Sequence, residues 1–372
     1  MKKKKSFWMT RAKNKNKAGL LKKWTLALNL FFVFLLILTY ITPYVRVELW
    51  GWLTLLALAY PFIMLMNGCF AIAWLLNKNW NAVFSLLAIV IGLSVHGRYV
   101  KLFSFKSSKD SCSESIRILS YNMRGLAMTP VEKGASAQRK IESLHNALTD
   151  EKEYPDIFSI QEGSKGDYIG KEFGLTNVIH GSKSSLWILS RFPIISQGEL
   201  QGEEKNPYCI WADVKTEDGM LRVYNMHLMS NRVTNTTEEL IQDMDFQKEN
   251  TWNSIRFIVS RYKYTTRKRS KEATTLRDHI RKCPYPAIVT GDGNDTPLSH
   301  TYHVLSDGMK DSFRERGSGF ATTYDSTLPL LRIDYLLGTS EIQFKDHYTH
   351  HMTYSDHYPI SSGICIKAKP GS

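Results

Sequence analysis

The stretch PAIVTGDGN (286–294) decides the fold. Its first half, from Ala287 to Val289, is apolar and β-branched and reads as a strand buried on both faces. Its second half ends that strand in Gly291, Asp292, Gly293 and Asn294. The glycines let the backbone approach a ligand closely beside a carboxylate and an amide. Asp295 beside them reads as a helix cap or turn former.

The same pattern recurs outward from this stretch. Short apolar runs rich in β-branched and aromatic residues end in polar ones: IRILSYN (116–122), DIFSIQE (156–162), SLWILSR (185–191), CIWADV (209–214), LRVYNMHL (221–228), RIDYLLG (332–338) and HYPISSGICI (357–366). Between them, residues 136–149 place Ile141, Leu144 and Leu148 at helical spacing, and residues 237–262 do so with Leu240, Ile241, Met244, Trp252, Ile255 and Ile258. RYKYTTRKRSK (261–271) reads as a solvated helix end and loop. Strands interspersed with a few helices predict an α/β domain of stacked sheets. There is no internal repeat.

A strand that ends in Asn, Glu, Asp or His delivers a polar group to one sheet edge. One such ending is ordinary turn chemistry. Taken singly, Asn122 is a turn residue, Glu162 is equally an exposed carboxylate or a hard oxygen ligand, and His227 is a core histidine. Asp334 lies between apolar neighbours and needs a partner. Asp356 and His357 offer one, a histidine whose tautomer a carboxylate fixes. Five or six such endings on separate strands form a constellation.

In this order, RILSYNMRG, PDIFSIQE, ILSRFPI, VYNMHL, IVTGDGNDTPLS, RIDYLLG and SDHYPI resemble the endonuclease/exonuclease/phosphatase superfamily, over roughly residues 114–368. The resemblance implies a four-layer α/β sandwich, two packed and mostly antiparallel sheets flanked by helices, with the active site at one edge. It implies Glu162 as the principal Mg2+ ligand (Mn2+ in its place), with Asn122 as a further metal group beside it and Asp356 as a second metal or hydrogen-bonding group. It implies Asp292 and Asn294 as the pair that orients the attacking water and holds phosphate. Asp334 would orient His357, and His227 would contact phosphate or the leaving group. Asn122, Asn225, Asn294 and His227 would contact substrate. Two departures stand out. SSLWILSR lacks the glycine often found before the family's ILS run, and Gly293 stands where an apolar side chain is commoner. Neither removes a catalytic group.

The charge map places the rest. The 372 residues carry +13, a balance often read as a nucleic-acid footprint. Residues 1–23 hold ten Lys or Arg and no acid, so they carry +10; residues 24–110 carry +4, and the remainder leaves −1 for residues 111–372. The domain itself is near neutral, which argues against a generic polyanion binder. Residues 24–42 are uncharged and long enough to span a bilayer, as are residues 49–76, read as one tilted span or one broken near Pro61 or Gly68. Residues 80–95 make a shorter third span. A cleaved signal peptide fits less well, because the first apolar stretch is too long and no A-x-A site follows. The expected organisation is a basic cytoplasmic tail (1–23), a membrane region (24–96), a linker (97–113) and a catalytic domain (114–368). The tail favours a cytoplasmic N-terminus, and three crossings then put the domain in the periplasm or outside the cell. The cations from Arg98 to Lys109 run against that rule. Cys112, Cys209, Cys283 and Cys365 are scattered without a CxxC pair, which excludes a zinc pattern and leaves one disulfide open.

Three functions compete. The first is a membrane-anchored phosphodiesterase or phosphatase acting on a lipid head group, a nucleotide or nucleic acid. The second is an extracytoplasmic nuclease, which needs a basic groove that the −1 domain does not advertise. The third is a catalytically silent module that binds a phosphorylated ligand, which the intact Glu162, Asp292, Asn294 and His357 disfavour.

Overall fold

The computed structural model describes residues 2–51, 53–101, 115–132, 134–150, 154–203, 205–231, 249–326 and 330–367. Among these residues, two sheets stack face to face. The first runs, edge to edge, through Ile342–Phe344, Ile360–Ile366, Ile116–Asn122, Ile157–Gln161, Trp187–Ser190 and Asn177–His180, with Tyr348–Thr349 also on Ile360–Ile366. The second runs through Lys310–Asp311, Asp334–Gly338, Ala287–Asp292, Gly219–His227, Pro207–Thr216 and Ile194–Gln201. Most neighbours are antiparallel. The exceptions pair Ile116–Asn122 with Ile157–Gln161, and Gly219–His227 with Ala287–Asp292.

The near-continuous apolar runs follow from burial on both faces. Successive side chains alternate between faces. Ile118, Ile157, Ile188, Val223, Ile288 and Leu336 fill the space between the sheets. Their neighbours Leu119, Phe158 and Leu189 turn outward under the helix Ala137–Asp150, against Ile141, Leu144 and Leu148. On the far side Tyr224, Val289 and Leu337 pack on Ala273 and Leu276 of the helix Glu249–Arg281. Helix, sheet, sheet and helix make the expected four layers.

Two expectations are corrected here, and one open alternative is resolved. RYKYTTRKRSK is not a loop: it lies inside the helix Glu249–Arg281, and residues 237–248 of the expected helix lie outside the described residues. The reason is tertiary: Arg269 is fully buried, with its guanidinium on Asp295, the Met229 carbonyl and Asn231. The run 49–76 is one helix, Leu55–Leu76, with Pro61 inside it and no break there or at Gly68; only its start differs, as the short turn Val47–Trp50. The third span is shorter than its run. Ala82–Ile91 has ten residues, and Gly92 separates it from the single turn Leu93–His96.

By length and composition, two helical stretches suffice to cross a membrane, Gly19–Tyr44 and Leu55–Leu76. The first belongs to a helix that begins at Lys2. All three apolar helices pack together through polar residues. Asn29 Nδ2 donates to Ser85 Oγ at 2.6 Å, Trp74 Nε1 to Asn29 Oδ1 at 2.9 Å and Ser85 Oγ to Asn67 Oδ1 at 3.3 Å. Such contacts hold helices together where apolar burial supplies no driving force between them.

The catalytic layers sit directly on one end of this bundle. Thr42 Oγ1 donates to the Leu298 carbonyl at 2.8 Å, Arg98 Nη1 to the Pro297 carbonyl at 2.8 Å, and the Tyr262 hydroxyl to the Thr54 carbonyl at 3.4 Å. Thr42 follows the first helix, Thr54 precedes the second, and Arg98 follows the third segment. So the end of the first, the start of the second and the end of the third all meet the catalytic domain, at the loop 297–298 and the helix Glu249–Arg281. Most of the expected linker lies outside the described residues. Its described start is docked, with Tyr99 buried and Val100–Lys101 paired with Gly319–Phe320. Cys365 is disulfide-bonded, whereas Cys69, Cys209 and Cys283 are free.

Candidate active site

The strand ends converge because of register. Asn122 lies beside Gln161 on the parallel neighbour, so the next residue, Glu162, emerges at the same edge. In the second sheet Asp292 lies opposite both His227 and Asp334. His357 precedes the strand Ile360–Ile366 and bridges to Tyr324. Both sheets thus deliver polar groups to one rim.

Gly291 and Gly293 shape this rim for a reason other than ligand approach. Gly291 has φ +118°, and a Cβ there would lie 2.1 Å from the Met226 carbonyl oxygen of the neighbouring strand. At Gly293 a Cβ would press on the Tyr335 ring at 3.0 Å, which accounts for the missing apolar side chain. Glu162 and Asn294 adopt left-handed conformations, φ +50° and +51°. Asparagine tolerates this region, whereas a glutamate held there is strained, as residues at functional sites often are.

Asp292 is the hub. It is 1% exposed. Its Oδ1 accepts from Asn294 N at 2.7 Å, and its Oδ2 from Asn122 Nδ2 at 3.1 Å and Asn294 Nδ2 at 3.2 Å. Two histidines approach the same Oδ2, His357 Nε2 at 3.7 Å and His227 Nε2 at 3.8 Å. Burial raises the Asp292 pKa, against the lowering pull of His357. On the far side of His357, Nδ1 donates to Asp334 Oδ2 at 3.0 Å. Burial pulls His357 down, but the carboxylates of Asp334 and Asp292 outweigh it and push its pKa up to about 9. The ring is therefore a cation at neutral pH.

Glu162 is the open carboxylate, 44% exposed, with Asn122 Nδ2 at 3.3 Å and His227 Nε2 at 3.6 Å from its Oε1. A divalent cation fits here: a hard oxygen donor, oriented by an amide, faces a cavity with room for water ligands. Asp292, Asp334 and His357 also bring ligand atoms within 4.8 Å of one another. That trio suits a metal less, because His357 Nδ1 is already committed to Asp334 and the group is buried.

Glu162, His227, Asp292, Asn294, Asp356 and His357 all line one cavity of about 1190 Å3. Three expected roles differ. Asn225 does not reach the cavity. It is fully buried between the sheets, its amide donating to the Ile160 and Trp187 carbonyls and its oxygen accepting from Gln161. Its side-chain amide and oxygen staple the sheets. Asn122 is buried behind the carboxylates, bridging Glu162 to Asp292 through Nδ2, while its oxygen accepts from Arg124 N; it positions the acids and offers no ligand oxygen to the cavity. Asp356 is paired with Arg124 Nη1 at 2.7 Å, so its charge is already met by a protein cation.

Arg124 was not foreseen. It lines the cavity from a turn that follows Asn122, at φ +43°. Its position two residues after a strand-end amide, inside SYNMRG, was the available signal. Tyr324, whose ring meets His357 edge-on at 4.8 Å, comes from a loop with no local signature. Asp295 is no simple cap: its carboxylate holds buried Arg269 and Thr301, locking the loop after Asn294 to the helix Glu249–Arg281.

Comparisons with known proteins agree with this architecture. Residues 119–357 match the family described as the Endonuclease/Exonuclease/phosphatase family, and residues 22–99 match one described as a domain of unknown function (DUF8431). Among solved structures, an endonuclease/exonuclease/phosphatase from Bacteroides vulgatus shares 16% identity, with 68% of this chain and 99% of that one covered, at a TM-score of 0.50. One from Beutenbergia cavernae shares 14% identity over 70% and 73% of the two chains at a TM-score of 0.48. A mannosyl-6-phosphatase from Bacteroides thetaiotaomicron shares 18% over 68% and 100% at a TM-score of 0.45. At such identities the likeness is one of fold. No curated protein matches.

Proposed function

The chain belongs to the endonuclease/exonuclease/phosphatase family, and from that premise we propose a membrane-anchored, Mg2+-dependent phosphoesterase that hydrolyses a phosphodiester or phosphomonoester by in-line attack of water. The observation that carries this reading is the gathering of Glu162, His227, Asp292, Asn294 and His357 on one cavity wall around Asp292 Oδ2.

Each residue then has a task. Asp292, with its basicity raised by burial, takes the proton of the attacking water. Asn294 holds Asp292 by its backbone and side-chain amides and orients the water beside it. Cationic His357 binds a phosphoryl oxygen, and Asp334 keeps it charged. His227, on the wall between Glu162 and Asp292, contacts the phosphate or the leaving oxygen. Asn122 keeps the two acids at a fixed separation. Glu162 would hold Mg2+, which when bound supplies Lewis-acid neutralisation of phosphoryl charge.

Location follows from charge and contacts. The basic tail favours the cytoplasm. The helix ends that meet the loop 297–298 and the helix Glu249–Arg281 support three passes through the bundle, which leaves the catalytic layers on the side opposite the tail. The disulfide at Cys365 supports an oxidising compartment.

The test uses the full chain in detergent with Mg2+ against bis-p-nitrophenyl phosphate, plasmid DNA, RNA, phospholipids and inositol phosphates, with EDTA controls. EDTA-sensitive turnover of at least one supports the reading. No turnover with Mg2+ or Mn2+ on any substrate would leave only the binding module standing.

The electrostatics of His357 give a further expectation. Activity that needs its cation falls as pH rises through about 9. Asp334→Asn removes the strongest neighbour that raises this pKa, so the alkaline limb of kcat/KM moves down by about 1–3 pH units. A limb that stays in place in the folded variant would remove His357 from this role.

A further inference from the structure

The cavity extends beyond the reacting groups, toward the bundle. Its wall includes Leu55 and Leu58, which are only half-buried on the first turns of the helix Leu55–Leu76. Facing elements add Ile258 and Tyr262 of the helix Glu249–Arg281, and Leu331 and Ile333. One continuous space therefore joins Asp292 to a helix long and apolar enough to cross a membrane.

The alignment is fixed rather than incidental. The loop that leaves Asn294 is itself the docking element. Pro297 and Leu298 accept from Arg98 and Thr42, and His300 Nδ1 donates to the Pro43 carbonyl at 3.0 Å. Leu298 is fully buried in a cluster with Leu36, Ala57 and Tyr60 of the bundle. The catalytic rim thus stands at a set height above the membrane helices. The helix Glu249–Arg281 also presents half-exposed Phe257 and Tyr264, with Arg261 and Lys268 over the Tyr264 ring. Aromatic and basic residues so mixed suit the headgroup layer of a membrane.

A water-soluble nucleotide can use such a wall only for its base and needs no path to a helix of this length and apolarity. A nucleic-acid strand would have to pass between the catalytic layers and the headgroups. A lipid needs both features, a polar centre for its phosphate and an apolar path for its chains. Resting on the phosphoesterase reading above, we propose that the substrate is a membrane lipid bearing a phosphodiester, which enters laterally from the bilayer along Leu55 and Leu58. Water adds at phosphorus, one P–O ester bond breaks, and the departing alcohol takes up a proton. A phosphomonoester remains, and no co-reactant beyond water is needed.

The test isolates the chain from the head group. The full-length protein, reconstituted in phosphatidylcholine vesicles with Mg2+, is given hexadecyl p-nitrophenyl phosphate or methyl p-nitrophenyl phosphate. Both release p-nitrophenol. The hexadecyl ester is expected to show a kcat/KM at least about 100-fold higher, the equivalent of three or four methylenes held against an apolar wall. Leu58→Asp should shrink that ratio by at least about tenfold by placing a charge on the path, and Leu58→Met should restore it. Equal turnover of the two esters overturns lateral entry while leaving the phosphoesterase reading intact, and so does a ratio that a correctly inserted Leu58→Asp protein retains. Should Leu58→Asp fail to insert, the wild-type ratio decides alone. Hydrolysis of neither ester overturns lateral entry of a lipid phosphodiester, and the phosphoesterase reading is then decided by the wider substrate panel above.

Discussion

Replacement of Asp292 by asparagine is expected to lower kcat by about 10²–10⁴-fold, the usual contribution of a single acid–base group. The variant removes the basic oxygen and keeps the shape. Burial already penalises the charged form of Asp292, and a neutral amide escapes that penalty. The amide must still meet donors. Oδ1 can keep the bond from Asn294 N, whereas the new nitrogen faces the amides of Asn122 and Asn294. Neither can flip freely, because Asn122 also donates to Glu162 and accepts from Arg124 N, and Asn294 also donates to the Leu228 carbonyl. The melting temperature is therefore expected to fall by several degrees, with the variant still folded at assay temperature. Turnover and thermal melting measured on one preparation separate the two effects. A folded variant that retains turnover within threefold of wild type would move water activation to another group. Alanine, in contrast, would leave the donors of Asn122 and Asn294 facing a void and would mix instability with lost chemistry.

Much of this site was legible in the sequence because strand register is a local property with a global outcome. Asp292, Asp334 and His227 each end or begin an apolar run, and pairing of those runs brings them level. Glu162 follows for the same reason from the other sheet. What was illegible depended on which face a residue turns to, or on a distant partner. Asn225 sits in the same motif as His227, yet it is buried between the sheets and holds them together through Ile160, Gln161 and Trp187. Two positions of chain separate a cavity residue from a structural staple. Arg269 reads as one more cation in a basic run. Only the buried Asp295, brought close by the loop after Asn294, makes it the anchor of a helix. The docking of that loop on Thr42 and Arg98 joins residues about 200 or more positions apart, beyond any local pattern.

Two residues of the rim break a local backbone rule. Glu162 is a β-strand terminator in a conformation that favours glycine, and its neighbour in space, Asn294, shares that conformation. The strain persists because both sheets fix the chain around it. Glu162→Gly therefore separates stability from activity. A left-handed conformation costs a residue with a Cβ about 1–2 kcal/mol. Glycine escapes that cost but gives back about 0.4–1 kcal/mol in unfolded-chain entropy. The variant should be as stable as wild type or more stable by up to about 1.6 kcal/mol. Its activity should nevertheless fall, because the open carboxylate that fits the divalent cation is gone. The midpoint of activity against Mg2+ concentration is expected to rise at least about 100-fold, the loss of one full charge opposite a hard cation. Glu162→Gln, which keeps the strain and loses only the charge, should show the same shift without the gain in stability. EDTA should abolish wild-type turnover, and added Mg2+ should restore it. Direct Mn2+ titration by electron paramagnetic resonance reads the binding step apart from catalysis, and should show affinity lost in both variants. Unchanged Mn2+ affinity in Glu162→Gln would place the cation elsewhere, and the buried trio of Asp292, Asp334 and His357 would then be the next site to examine.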